Sequence, residues 1–167
     1  MLEKRNFYIN GKWVAPSKSN DLEIINPSNE EPFAIISLGG VADVNSAVEA
    51  AKKSFIKWKE TSKEERINLL EKLLKVYKKR YNEMSEAIST EMGAPIDWAS
   101  SVQTASGQSH IEDFILRLKN FKFEEHFDSK SNNHISYEPI GVCGLITPWN
   151  WPINQIALKV IPAFATG

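Results

Sequence analysis

One short segment, Pro148 to Pro152, has residue types that could take part in chemistry. It places a single amide, Asn150, between two indoles and two prolines, in the order Pro-Trp-Asn-Trp-Pro. The apolar run from Val142 to Ile146 predicts a strand before it, and the apolar stretch from Pro152 onward predicts a helix after it. Open α/β sheets bind their ligands at such joins, beyond the carboxyl ends of the strands. An amide fixed there could donate hydrogen bonds to a ligand, or it could bond the backbone of its own turn.

The composition of the whole chain limits the classes of function. Its 167 residues allow one ordinary domain with a core, and 42% hydrophobic with 25% charged residues is typical of a globular protein. Twenty basic against twenty-one acidic residues argue against nucleic acid or an anionic membrane surface as a partner. Polar residues interrupt the most apolar segment, so we expect no membrane span. A single cysteine and no apolar leader-like stretch favour a cytoplasmic protein.

The elements that must position this segment begin with short strands. Asn10-Gly11 supplies the positive φ angles of a type I′ turn, which predicts a hairpin from strands at 7–9 and 12–14. Further strands are predicted from Leu22 to Asn26 and from Pro32 to Leu38.

Helical periodicity follows Gly40. A helix with Asp43 in its first turn is predicted up to about Trp58. Ser62 with Glu65 forms a capping box that opens one long helix, which ends before Gly93-Ala94-Pro95. Its apolar stripe consists of Ile67, Leu70, Leu73, Leu74, Tyr77, Tyr81, Met84 and Ile88. A third helix is predicted from about Ile96 to Leu118.

Two extended arms, Phe121 to Glu125 and Ile135 to Glu138, are predicted on either side of a polar loop at 126–134. The strand at 141–146 and the helix that follows would then start a parallel α/β unit. Parallel neighbours need crossovers of about a dozen residues or more. We therefore expect the domain that begins at Glu138 to be unfinished within these 167 residues. The helix residues expected to lack a partner layer are Ile153, Ile156, Ala157, Val160 and Ile161.

The residues from Glu138 to Gly167 resemble the aldehyde dehydrogenase superfamily, whose members carry a strand followed by a Pro-Trp-Asn-aromatic-Pro turn. The hairpin at Tyr8 to Trp13, the Ile25-Asn26-Pro27 run and the segment Glu91 to Pro95 support the resemblance. It implies an α/β fold with an incomplete Rossmann-type cofactor domain, a helical N-terminal segment with short strands, and an oligomerisation hairpin. The implied divisions are 1–119 for the N-terminal part of the cofactor domain, 120–138 for the oligomerisation arms, and 139–167 for the first strand, turn and helix of the sheet.

The function implied by the resemblance is the NAD- or NADP-dependent oxidation of an aldehyde to a carboxylic acid by a homo-oligomer. The implied catalytic role of Asn150 is to hold the oxyanion that forms when a cysteine attacks the aldehyde. The implied cofactor-binding residues are Ile146, Thr147, Pro148, Trp149 and Asn150. The implied residues of the substrate channel are Trp151, Gln155 and Leu158.

Several other residues are less informative. Cys143 lies in the apolar run without a basic neighbour, so we expect a buried structural thiol. The resemblance places the nucleophile, the catalytic glutamate and the ribose-binding lysine downstream, so the chain alone is expected to be inactive. His110, His126 and His134 lack metal-ligand spacing, and no metal site is expected. Glu91, with the Ile24 and Ile25 carbonyls, resembles a monovalent-cation site of some relatives.

Two alternatives to this function remain open. The chain could be a non-catalytic remnant that binds or oligomerises through its arms, or it could be another Rossmann-like binding module. The Gly-x-Gly-x-x-Gly fingerprint is absent, since Gly141 and Gly144 have the wrong spacing. The identity of the aldehyde and the choice between NAD and NADP also stay open.

Overall fold

The computed structural model describes residues 1–128 and 132–167. The strands in these ranges are β1 (Leu2–Lys4), β2 (Phe7–Ile9), β3 (Lys12–Val14), β4 (Asp21–Asn26), β5 (Glu31–Ser37), β6 (Glu124–His126) and β7 (His134–Ser136). The helices are α1 (Val41–Trp58), α2 (Lys63–Lys79), α3 (Tyr81–Met92), α4 (Ile96–Trp98), α5 (Ala105–Asn120) and α6 (Pro152–Thr166), and a π-helical segment (Ala99–Thr104) joins α4 to α5. Helices and short strands together give the α/β class that the sequence predicts.

The strands form three small sheets. β2 and β3 make the predicted hairpin, with positive φ angles of 53° at Asn10 and 75° at Gly11. β5 is the middle strand of the order β1-β5-β4, antiparallel to β4 and parallel to β1. The predicted arms pair as the antiparallel β6–β7 hairpin. Part of the loop predicted between them, residues 129–131, lies outside the described residues.

The long helix predicted from Ser62 to Met92 is in fact two helices. The capping box is present, because the Glu65 backbone N–H donates to Ser62 Oγ and the Ser62 backbone N–H donates to the Glu65 carboxylate. Helical geometry is interrupted at Arg80, where φ is −104° and ψ is 18°. The break separates α2, which packs on α5 and α6, from α3, which packs on the π-helical segment. The predicted third helix is a continuous helical run from Ile96 to Asn120 that contains this π-helical segment.

The main core lies between α2, α5 and α6. Its buried residues are Leu70, Ile111, Ile115, Leu118, Ala157, Ile161 and Ala165. Ile153 joins a second buried cluster with Ile88, Ala94 and Ala99. The expectation that α6 would lack partners is therefore wrong for Ala157 and Ile161, which α2 and α5 cover, and for Ile153, which the second cluster covers. Ile156, on another face of α6, is exposed.

Gly107 permits α5 to approach its neighbours closely. A Cβ atom at this position would lie 2.5 Å from Tyr77 Oη and 2.8 Å from Ile153 Cγ1. The Tyr77 hydroxyl donates a hydrogen bond of 2.8 Å to the carbonyl oxygen of Thr104, and burial raises the pKa of Tyr77 to about 12. A glycine within a helix costs roughly 1 kcal/mol relative to alanine. Here the missing side chain allows α2, α5 and α6 to meet.

The segment that was predicted as a strand, Val142 to Ile146, forms none in the structure. Residues 139–148 take part in no strand pairing with the other described residues. A strand exists only with a neighbour to share its hydrogen bonds, and the described chain supplies no such neighbour. Within 1–128 and 132–167, no helix is long and apolar enough to cross a membrane.

Candidate functional site

The turn that precedes α6 is uncovered. Residues 146–150 are all exposed, and the side chains of Ile146 and Trp149 keep 87% and 82% of their accessible surface. Large apolar side chains that lie together on a surface often mark a place where something binds. The five residues predicted to contact the cofactor thus form one accessible stretch of chain.

Asn150 has a free amide. Its side chain is exposed and makes no hydrogen bond to any of the described residues. An Asn that serves only its turn usually bonds the backbone about two residues on. Asn26 shows that pattern, because its Oδ1 accepts a hydrogen bond of 2.9 Å from the Ser28 backbone N–H. The amide of Asn150 is therefore available to a ligand.

Trp151 connects this turn to α6 in an unusual conformation. Its φ of 65° and ψ of 57° place it in the left-handed region, although it is bulky and precedes a proline. Such a conformation costs of order 1–3 kcal/mol and tends to occur at functional sites. The Trp98 ring lies 6.0 Å away, centroid to centroid, and packs against the Trp151 ring.

The N-terminus of α6 favours negative charge beside Asn150. Pro152 occupies the first turn, and no side chain caps the helix. The free backbone N–H groups of a first turn carry a partial positive charge. The helix end and the neutral amide of Asn150 thus both provide hydrogen-bond donors, two residues apart in sequence.

The predicted substrate-channel residues lie at the start of α6. Trp151 is the N-cap rather than a helical residue, and its carbonyl accepts a 3.1 Å hydrogen bond from the Gln155 backbone N–H. Gln155 is half-buried, and its Oε1 accepts a 3.3 Å hydrogen bond from Lys159 Nζ. Leu158 is exposed. Trp151 and Gln155 are thus half-buried and Leu158 is exposed, all within the first half of α6 or at its N-cap.

A polar contact near this face was missed by sequence reasoning. His110 Nε2 on α5 and Asn154 Oδ1 on α6 are 2.7 Å apart in a partly buried position. The two residues are 44 positions apart in the chain. The sequence contains no signal for this pairing, since the contact depends on how α5 and α6 pack.

The expectation of a buried Cys143 is wrong, because its thiol is exposed. No neighbouring strand covers the segment, and Cys143 Sγ donates only a 3.6 Å hydrogen bond to the Gly141 carbonyl oxygen. No lysine, arginine or histidine among the described residues forms a hydrogen bond with it. The structure thus shows no group that would activate this thiol as a nucleophile.

Metal ligation receives no support in the described parts of the chain. They contain no group of three or more His, Cys, Asp or Glu side chains that could hold a metal ion. A monovalent cation near Glu91 remains a prediction that rests on the resemblance alone.

Comparison with known proteins identifies close similarities. The sequence model of the aldehyde dehydrogenase family matches residues 13–167. A 3-succinoylsemialdehyde-pyridine dehydrogenase from a Pseudomonas species is 44% identical over all of this chain and 35% of its own length. The crystal structure of an aldehyde dehydrogenase from Bartonella henselae is 53% identical and superposes with a TM-score of 0.97, over 99% of this chain and 35% of that one.

A third similar structure contains ligands. A mutant aldehyde dehydrogenase from Pseudomonas syringae, complexed with NAD+ and octanal, is 39% identical with a TM-score of 0.92, over 97% of this chain and 33% of that one. The chain thus spans about a third of the length of the relatives it matches. The superpositions confirm the fold class, as the N-terminal part of this larger fold.

Proposed function

The chain belongs to the aldehyde dehydrogenase family, and we propose that it supplies the oxyanion donor and part of the cofactor site for an NAD- or NADP-dependent oxidation of an aldehyde to a carboxylic acid. The observation that carries the proposal is the free amide of Asn150 at the uncapped N-terminus of α6. The named activities of the relatives, which are aldehyde dehydrogenases, support the reaction class.

The role of Asn150 follows from the charge that develops during attack on an aldehyde. Negative charge builds on the carbonyl oxygen, and a neutral donor stabilises this charge without titrating itself. The first turn of α6, which begins two residues later, adds a partial positive charge near the turn. Since Asn150 makes no hydrogen bond within the described chain, no existing contact must break before it can donate. Loss of one such donor typically raises the barrier by about 3–4 kcal/mol.

The residues of the turn fit a dinucleotide cofactor. A nicotinamide presents a flat ring and an amide, which suit apolar side chains beside free polar groups. Ile146 and Trp149 offer exposed apolar surface, and Thr147 and Asn150 offer polar groups, with Pro148 restricting the backbone between them. When bound, the cofactor accepts the hydride. The chain's own contribution is to hold the ring beside Asn150, and the NAD+ bound to a relative supports NAD as the cofactor.

The remaining parts of the proposal concern substrate, assembly and compartment. Trp151, Gln155 and Leu158 would line the path of the aldehyde. The β6–β7 hairpin would serve a homo-oligomer; Phe127, next to β6, is exposed as an interface residue would be. A single cysteine, which can form no internal disulfide, favours the cytoplasm. The division into 1–119, 120–138 and 139–167 stays part of this proposal.

The test uses an active enzyme in which residues 1–167 replace the matching third of the Bartonella henselae enzyme. In this hybrid, Asn150→Ala should lower kcat by about 10²–10³-fold. The Kd for NAD+, measured by titration of the protein fluorescence, should change little. Asn82→Ala, which removes an exposed amide on α3, is the matched control. An unchanged kcat in Asn150→Ala would make Asn150 a turn residue only.

A second measurement concerns the chain alone. Purified 1–167 should form no NADH from aldehydes, because Cys143 has no activating neighbour. Turnover that disappears in Cys143→Ala would show instead that this cysteine is a nucleophile.

A further inference from the structure

The hydrogen bond between His110 and Asn154 fixes the orientation of an amide near the proposed substrate path. With Nε2 of His110 as the donor, Asn154 Oδ1 is the acceptor, at 2.7 Å. The close approach of α5 to α6 at Gly107 and Ile153 brings the two side chains together, since they lie within one helical turn of that contact. The pair is partly buried, so water does not fully surround it.

The position of Asn154 on α6 relates it to the other residues of the path. Asn154 precedes Leu158 by four residues, so these two residues share one face of the helix, and Asn154 lies in the first turn after the N-cap Trp151. Asn150 itself lies before α6, on the other side of the left-handed Trp151, at the turn where the proposed path begins. An aldehyde whose tail runs from the turn along the face of Leu158 would therefore pass Asn154.

The orientation leaves two hydrogen-bond donors unused. Because His110 occupies Oδ1, the N–H groups of Asn154 Nδ2 are turned away from it, and they have no partner among the described residues. Partly buried donors favour a ligand that carries an acceptor, because an apolar ligand would remove their water without replacing it.

We propose that His110 positions Asn154 to donate a hydrogen bond to an acceptor on the tail of the aldehyde. The chain would then select aldehydes that carry a carbonyl or similar hydrogen-bond acceptor on the tail over aldehydes whose tail is wholly apolar. The selection rests on the proposed function, since it assumes that the reacting carbonyl lies at Asn150. Asn154 contacts the tail of the aldehyde and so affects specificity. His110 is a positioning residue, because it only orients the Asn154 amide.

The test compares 4-oxopentanal with pentanal in the hybrid enzyme described above. These aldehydes have the same number of carbons and differ by one ketone oxygen. Asn154→Asp keeps the oxygen that accepts from His110 but replaces the N–H donors with a second acceptor. It should lower kcat/KM for 4-oxopentanal about five- to tenfold relative to pentanal, mostly through KM, as expected for one lost hydrogen bond. Asn154→Leu should lower the ratio of the two kcat/KM values in the same direction without adding charge.

The role of His110 is tested by loss and rescue. His110→Ala should lower the same ratio, and His110→Gln should restore it, because glutamine can place an N–H donor near the Nε2 position. A ratio that is unchanged in both Asn154 variants, or a His110→Gln enzyme as impaired as His110→Ala, would overturn the inference. Failure of the proposed function has a different signature, since Asn150→Ala would then leave kcat unchanged for both aldehydes.

Discussion

The three-helix packing of α2, α5 and α6 contrasts with the surface formed by α1 and residues 140–150. In the first region Leu70 is 1% exposed, whereas in the second Ile140 is 92% exposed. Both regions are apolar in sequence. They differ in whether other helices or strands of the chain pack over their apolar side chains.

The contrast separates the residues that stabilise the fold from those that are free to bind. Each buried apolar side chain contributes about 1.5–3 kcal/mol, so most of the stability of this chain must come from the first region. The C-terminal half of α1, through Phe55 and Trp58, lines a groove of about 270 Å³ that Val142, Leu145 and Phe164 also line. The open region therefore adds little stability and keeps its apolar surface available. Helix α6 belongs to both regions: one of its faces is buried, and its N-terminus carries the turn with Asn150.

The largest expected effect is in the closed region. Leu70→Ala should lower the free energy of unfolding of the chain by about 2–5 kcal/mol, because it leaves a cavity between α2, α5 and α6. Denaturant unfolding followed by circular dichroism measures the change. The adjacent Leu69 is exposed, and Leu69→Ala should cost well under half as much. Equal losses would show that the three helices do not pack as described.

A smaller loss is expected where α5 approaches its neighbours. Gly107→Ala places a Cβ atom 2.5 Å from Tyr77 Oη and 2.8 Å from Ile153 Cγ1. Overpacking typically costs about 1–3 kcal/mol, and the better helix propensity of alanine returns roughly 1 kcal/mol. A net destabilisation should appear in thermal unfolding. Gly144, in the open region, has no neighbouring atom within 4 Å of such a Cβ, so Gly144→Ala should be close to neutral. A more stable Gly107→Ala chain would contradict the close approach.

A pH-dependent effect is expected at the N-terminus of α1, the helix of the open region. The Asp43 carboxylate accepts hydrogen bonds of 2.8 Å from the backbone N–H groups of Gly40 and Ser17, which lower its pKa in the folded chain. Since the pKa in the unfolded chain is about 3.9, this stabilisation is present above that pH and is lost as the pH falls through the lower folded value.

Urea unfolding between pH 5 and pH 3 measures this dependence. Asp43→Asn should reduce the fall in stability with acid, because the amide does not titrate. The exposed Asp97, on α4, provides the control variant Asp97→Asn, which should leave the fall unchanged. If Asp43→Asn and the unmodified chain lost stability equally as the pH falls, the hydrogen bonds of Asp43 would not be what holds the loop after β3 against α1.

The smallest effect on stability is expected at the turn. Ile146→Ala and Trp149→Ala should each change the free energy of unfolding by no more than about 0.5 kcal/mol, because both side chains are exposed. Ile161→Ala, on the buried face of α6, should cost several times more. A loss above about 1 kcal/mol at Trp149 would show that the turn is packed, and that the two regions are less distinct than proposed.

Local sequence chemistry predicted many elements of the fold. The Asn10-Gly11 turn, the capping box at Ser62 and the helix that starts at Pro152 are all present. Each depends on residues within a few positions of one another, so backbone sterics and capping hydrogen bonds suffice to predict it. The predicted site residues 146–150 also occupy one accessible stretch, although their roles remain a proposal.

Non-local contacts account for what the sequence missed. The break at Arg80 accompanies the packing of α3 on the π-helical segment, where Tyr81 Oη donates a 2.6 Å hydrogen bond to the Ser100 carbonyl oxygen. The parallel pairing of β1 with β5 joins residues that are about thirty positions apart. Neither feature has a local signal, because periodicity describes which side of an element is apolar and does not identify its neighbour.

The sequence by itself determined the family motif, the turn that presents Asn150 and the helical period of α6, since all three depend on residue types at short spacing. Only the tertiary structure decided which apolar faces are covered. It buries Ile153 and Ile161, exposes Cys143, and brings His110 to Asn154. The physical reason is that burial and long-range hydrogen bonds require a second surface, and the packing of α5 against α2 and α6 provides that surface for one face of α6 alone.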